Sequence, residues 1–165
     1  MNFNNLDSTD IFDKFFRKYV SQINLNATLN VCSSDYKGDD AKLLAAFRSL
    51  DEPNYKELDN TPFVGVVHKD STCEIVCSVK CYAQCGFSEE EAFAIIAHEL
   101  GHIERDIITC QPGGLEDEIE ADKFAVKLGL KNELINALQK MIGAEINPDK
   151  EDEMNKRICE LTKYP

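Results

Sequence analysis

Residues 87–106 read FSEEEAFAIIAHELGHIERD, and the reading of the whole chain turns on them. Ser88 followed three residues later by Glu91 is a capping box, and Glu89, Glu90 and Glu91 put negative charge at the positive end of a helix dipole. Phe93, Ile96, Leu100, Ile103 and Ile107 then recur at 3-4-3-4 spacing, which predicts a helix from Ser88 to about Asp106 with an apolar face. Opposite that face stand His98 and His102, flanked by Ala94 and Ile95. Imidazoles four residues apart on a helix project from one side, close enough for a ring nitrogen of each to reach one metal ion. Glu99 points about 100° round the helix from His98, so it stands beside such an ion rather than on it. From there a carboxylate can take the proton of a metal-bound water.

A catalytic zinc takes three protein ligands and keeps one position open. His68 is the one remaining histidine, and the extended pattern H-E-x-x-H-x-x-G-x-x-H is broken by Arg105 and Ile108. A carboxylate is therefore the natural third ligand. After Pro112-Gly113-Gly114 a second helix is predicted from near Leu115 to about Leu130, carrying Glu116, Asp117, Glu118, Glu120 and Asp122. With Leu115, Ile119 and Val126 as its buried stripe, Glu118 and Asp122 fall in the stripe or at its edge, and Glu116, Asp117 and Glu120 point to water. Inward carboxylates need partners. A zinc ion on Glu118, and a ligand imidazole oriented by Asp122, supply them.

HELGH followed by Glu118-x-x-Ala121-Asp122 resembles the gluzincin metallopeptidases. The run FSEEEAFAIIAHELGHIERD is similar to the active-site helix of the CAAX prenyl endopeptidase and HtpX-like family, and EIEADKFAVKLG to its Glu-bearing helix; the likeness covers roughly residues 73–130. It implies a zincin-like α+β fold: a small mixed or antiparallel sheet packed against the H-E-x-x-H helix and the Glu-bearing helix, with further C-terminal helices. It also implies Zn²⁺ on His98, His102 and Glu118, Glu99 as general base, and hydrolysis of peptide bonds. The chain departs from that family in lacking membrane spans, and fifteen residues separate His102 from Glu118. In scale it is closer to the minigluzincins and to the ImmA/IrrE-like peptidases, which cleave phage or stress-response repressors and usually carry Asn at the place of Asp122. Zincins commonly bind an extended peptide along the edge strand before the active helix, which points to residues 72–78 here. His68 and Tyr82 are candidate oxyanion stabilisers.

Working outward, the chain has 165 residues, 43% of them hydrophobic, which suits a single domain over 1–165. Lys plus Arg number 18 against 30 Asp plus Glu, a net charge of −12 that disfavours nucleic acid and anionic lipid surfaces as partners. No apolar run is long enough for a membrane span, and MNFNNLDSTD lacks the features of a signal peptide, so a soluble cytoplasmic protein is expected. Seven cysteines, an odd number, fit thiols of a reducing compartment. Cys73, Cys77, Cys81 and Cys85 are evenly four apart; on a strand such neighbours lie about 13 Å from each other, so they read as small buried residues rather than a second metal site. A thiol over the metal's open position would have to be Cys110, just past the active helix, or Cys159 in the last helix; nothing in the sequence fixes the reach of either, and the open position is the favoured reading.

The remaining elements follow from periodicity: a helix over 9–23, a strand over 25–31, a helix over 39–50, a polar stretch around Pro53 and a strand over 62–68. From Cys73 the pattern predicts a strand through Ser78, then either more strand or a short helix stopped by Gly86. Helices over 132–143 and 148–162 complete the chain, the last started by Asn147-Pro148. Beside a zinc peptidase two other functions fit this pattern: a non-catalytic zinc module, and a regulatory protein acting on one specific partner such as a repressor.

Overall fold

The computed structural model describes residues 2–49, 60–68, 70–109 and 114–165, and in it the chain is α+β. The side chains of 47–49 and 106–109 lie outside that description, and with them the expected core positions Phe47 and Ile107; Leu50, the stretch around Pro53, Cys110 and Pro112-Gly113 lie outside it altogether. The backbone forms two compact units, residues 1–82 and 83–165.

In the first unit, β1 (Asn2–Asn5), β2 (Thr28–Ser33), β3 (Phe63–Val67) and β4 (Thr72–Cys77) form a mixed sheet in the order β1-β2-β4-β3. β2 runs parallel to both β1 and β4, and β3 runs antiparallel to β4. Parallel neighbours need a crossover, which α1 (Asp10–Tyr19) provides between β1 and β2; α2 (Lys42–Ser49) follows β2. Residues in register share a sheet face, so Leu29 and Val31 lie beside Cys73 and Ile75. The aromatic stripe of α1 covers that face, with Phe16 4.1 Å from Phe3 and Phe12 5.8 Å from Phe63 between ring centres. On the other face Ala41 and Leu44 pack against Cys32 and Val76.

Covered on both sides, β4 is buried from Cys73 to Cys77, including Glu74 at 2% exposure. The Glu74 carboxylate accepts the backbone N–H groups of Lys42 (2.5 Å) and Leu43 (2.8 Å), which are unsatisfied donors at the start of α2. An alternating pattern marks Glu74 as a solvent-side residue; it is instead a helix cap supplied from a neighbouring strand.

Three strand expectations are corrected. β4 is an interior strand, held by β2 and β3, so residues 72–78 are not an edge; among the described residues the sheet's edges are β1 and β3. The strand expected over 25–31 begins at Thr28 and runs to Ser33, with Leu25 buried ahead of it. β1 has no counterpart in the sequence reading because NFNN is poor in strand formers; it is held by pairing with β2, by Phe3 on Phe16 and by Asn4 Nδ2 donating to Asn30 Oδ1 at 3.0 Å. After Ser78 the helical alternative forms, α3 (Val79–Cys85), ended by Gly86 at φ +60°.

The second unit holds α4 (Glu89–Thr109), α5 (Leu115–Lys127), α6 (Lys131–Gly143) and α7 (Glu151–Leu161). α4 packs against α5 and α6, and α7 packs against the same two. The capping box is made in full: Glu91 Oε2 accepts from the Ser88 N–H at 2.7 Å, and Ser88 Oγ from the Glu91 N–H at 3.3 Å. α5 ends at Lys127, short of the expected Leu130, because Gly129 turns left-handed at φ +77°. Its buried stripe is Ala121, Asp122, Phe124 and Ala125, whereas Leu115, Ile119 and Val126 are only half-buried. The stripe is rotated from the expected one, and at its close approach to α4 the small Ala121, not one of the larger residues, meets Gly101. No helix among the described residues is long and apolar enough to cross a membrane.

Candidate metal centre

Every residue of α4 from Glu91 to Gly101 is buried, His98 (5% exposed) and Glu99 (8%) among them. Gly101 lies between the two histidines for a steric reason. A β-carbon there would stand 2.4 Å from the carbonyl oxygen and 2.7 Å from the α-carbon of Ala121, so only glycine lets α5 come this close. Three residues before that contact and one residue after it, α5 delivers Glu118 and Asp122 to the histidines.

The ring nitrogens and carboxylate oxygens converge. His98 Nε2 and His102 Nε2 are 3.1 Å apart; Glu118 places Oε2 3.3 Å from the first and Oε1 3.3 Å from the second. Ligands bound tetrahedrally at about 2.0–2.1 Å are themselves separated by roughly 3.3 Å, so the three side chains already have the spacing of a shared ion. Each offers one ligand atom, all within 4.8 Å of one another, and the group is able to hold a metal.

Asp122 Oδ1 lies 2.7 Å from His98 Nδ1. A proton on Nδ1, donated to this carboxylate, leaves the Nε2 lone pair turned toward Glu118 and His102, the tautomer that a metal ligand needs. Burial and the nearby Arg157 charge disfavour a second proton on His98, but Asp122 and Glu118 outweigh them and push its pKa up to about 9. Burial raises the Glu118 and Asp122 carboxyls, and the histidines and Arg157 outweigh it, holding both below the usual carboxylate range. These are ionised acids around an imidazole pair, a donor set that attracts a cation.

Arg157, on α7, is the member of this cluster that the sequence reading does not reach. Its Nε donates to Asp122 Oδ2 at 3.0 Å, Nη2 to Asp122 Oδ1 at 2.6 Å and Nη1 to Glu118 Oε2 at 2.8 Å. The signal was present: Arg157 falls three residues after Met154 and four before Leu161, inside the buried stripe of α7, where a lone cation demands a partner. Cys159, two residues on, is exposed, so α7 meets the cluster with a guanidinium and not with that thiol.

The structure brings His98, His102, Glu118 and Asp122 together as the spacing suggests. Asp117, expected to face water, pairs with Arg105, whereas Glu116 and Glu120 are exposed. In the first unit His68 Nε2 lies 2.5 Å from Glu74 Oε2, and the Tyr82 ring stands edge-on to Phe63. The four regularly spaced cysteines are buried, on β4 and α3, and burial raises the Cys77 thiol to about 12. Neither protein-family models nor curated proteins nor solved structures gave a significant match to this chain.

Proposed function

We propose that the chain is a zinc-dependent peptidase of gluzincin type with a zincin-like arrangement of α4 and α5. The observation that carries this reading is the convergence of His98 Nε2, His102 Nε2 and the Glu118 carboxylate at 3.1–3.3 Å, beside a buried Glu99. Two imidazoles and one carboxylate form the donor set of catalytic zinc sites that leave a fourth position open. Zinc bound there would lower the pKa of its water and polarise the scissile carbonyl.

The chain's own residues supply the rest. Asp122 fixes the His98 tautomer. Glu99, one residue from a ligand, takes the proton from the attacking water and passes it to the departing amine. A structural metal site has no use for a base at that position. The substrate is a peptide or protein segment.

Purified protein should carry one zinc per chain, and Glu99→Gln should keep that zinc while cleavage of a peptide library falls about 10²–10⁴-fold, the usual worth of a general base. Full activity in Glu99→Gln removes the peptidase mechanism. Zinc without cleavage in the wild type would leave the metal as a staple between helices.

A further inference from the structure

The zinc reading assigns roles to α4 and α5 but none to α7, whose one buried charged side chain reaches into the same cluster. We propose that Arg157 is a positioning residue for the metal centre: its guanidinium sets Glu118 and Asp122 in register, and through it metal occupancy is coupled to the seating of α7. The inference rests on the metal reading above and goes beyond it.

The geometry is specific to arginine. A guanidinium is planar and holds five donors in a fixed fork. Here Nε and Nη2 take both oxygens of Asp122 while Nη1 takes Oε2 of Glu118, so one rigid group spans two carboxylates a helical turn apart. Asp122 Oδ1 therefore accepts from two donors, Arg157 Nη2 at 2.6 Å and His98 Nδ1 at 2.7 Å. The 3.1 Å approach of Nη2 to His98 Nδ1 is the consequence of that shared acceptor. Each contact transmits position: Arg157 to Asp122 to the His98 ring, and Arg157 directly to the ligand Glu118. Lysine, a single point charge on a flexible stem, can meet one of the two carboxylates but not lock them together.

Coupling of this kind is reciprocal, so metal binding must tighten α7 as much as α7 tightens metal binding. The wild-type protein tests this without mutation. Hydrogen exchange with and without added zinc should slow in residues 151–161 together with α4 and α5, although α7 supplies no ligand. Slowing confined to α4 and α5 overturns the proposal and leaves the zinc site standing; a wild type that takes up no zinc overturns the metal reading and this one with it.

Variants give the second arm. In Arg157→Met, with its helix content checked by circular dichroism, zinc affinity should fall about ten- to a hundred-fold, the range for residues that orient ligands. The visible bands of the cobalt(II)-substituted protein should also shift, a signature that a purely structural role would not move. Arg157→Lys should recover only a small part of either. A folded Arg157→Met with unchanged affinity and cobalt spectrum overturns the proposal. If that variant does not fold, the lysine variant and the exchange measurement decide.

Discussion

The described residues hold two clusters that pair histidine with carboxylate, one in each unit, and they serve different ends. In the first, Glu74 is surrounded by donors: two backbone N–H groups of α2 and the His68 ring nitrogen at 2.5 Å. Its lone pairs are used up in capping a helix, and one imidazole contributes one nitrogen. In the second, two imidazoles turn their Nε2 atoms toward each other at 3.1 Å, and Asp122 takes the Nδ1 proton of one of them. Those nitrogens and the Glu118 carboxylate converge on one point, which a proton on His98 fills at neutral pH and which a metal ion would fill in its place. A buried His–Glu pair is thus weak evidence for chemistry, whereas convergent acceptors are strong evidence.

The widest separation between the two clusters should appear in paired substitutions. Glu118→Ala is expected to abolish stoichiometric zinc uptake while leaving the helical fold, since a two-ligand site does not retain a catalytic metal. Glu74→Ala is expected to do the reverse: zinc uptake unchanged, but stability down by about 2–4 kcal/mol from stranding the buried donors of α2. Zinc titration and urea unfolding on both variants would read this. Loss of zinc in Glu74→Ala, or its retention in Glu118→Ala, would erase the distinction.

Gly101 offers the next test, because it makes the second cluster possible by letting the backbones of α4 and α5 approach. Gly101→Ala should cost about 1–3 kcal/mol through overpacking and weaken zinc binding, since Glu118 and Asp122 move away with α5. Gly143, at the end of α6, has open space where its β-carbon would sit. Gly143→Ala should leave both properties unchanged, and equal behaviour of the two variants would refute the close-approach argument.

These residues show what was legible in the sequence and why. The H-E-x-x-H spacing and the capping box depend on local helical geometry, which a linear pattern encodes directly. Glu74 caps backbone donors 31 and 32 residues away, Arg157 meets carboxylates 35 and 39 residues away, and β1 pairs with a strand 26 residues on. Periodicity sees only that Glu74 is polar and that NFNN is a poor strand. The α5 stripe departs from the expected one for a related reason: Ala121 is buried against Gly101, and small residues such as Ala121 and Ala125 carry little weight in a hydrophobic pattern. Asp122, by contrast, could be assigned in advance, and it permits a graded test. Asp122→Asn keeps the shape but weakens the pull on the His98 Nδ1 proton, so zinc affinity should fall about ten- to a hundred-fold by competition titration. An unchanged affinity would mean that the charge of Asp122 does not set the His98 ring.

The smallest effect concerns a third carboxylate, Glu91, which lies on the same helix as the histidines but belongs with Glu74 in kind. Burial raises its pKa, yet hydrogen bonds from Lys140 and the Ser88 N–H outweigh this and leave it below the ordinary value. A folded-state pKa below the unfolded one contributes stability that is fully present above the unfolded pKa of about 4.3 and is lost as pH falls through the folded value. Glu91→Gln should therefore cost on the order of 1 kcal/mol at pH 7, as for other capping residues, and the gap to wild type should narrow as the pH drops below about 4. Zinc affinity should not follow that gap, because Glu91 reaches Ser88 and Lys140 and not the imidazoles. A gap that stays constant with pH would mean the carboxylate contributes shape rather than charge, and only then would the capping box be the whole of its role.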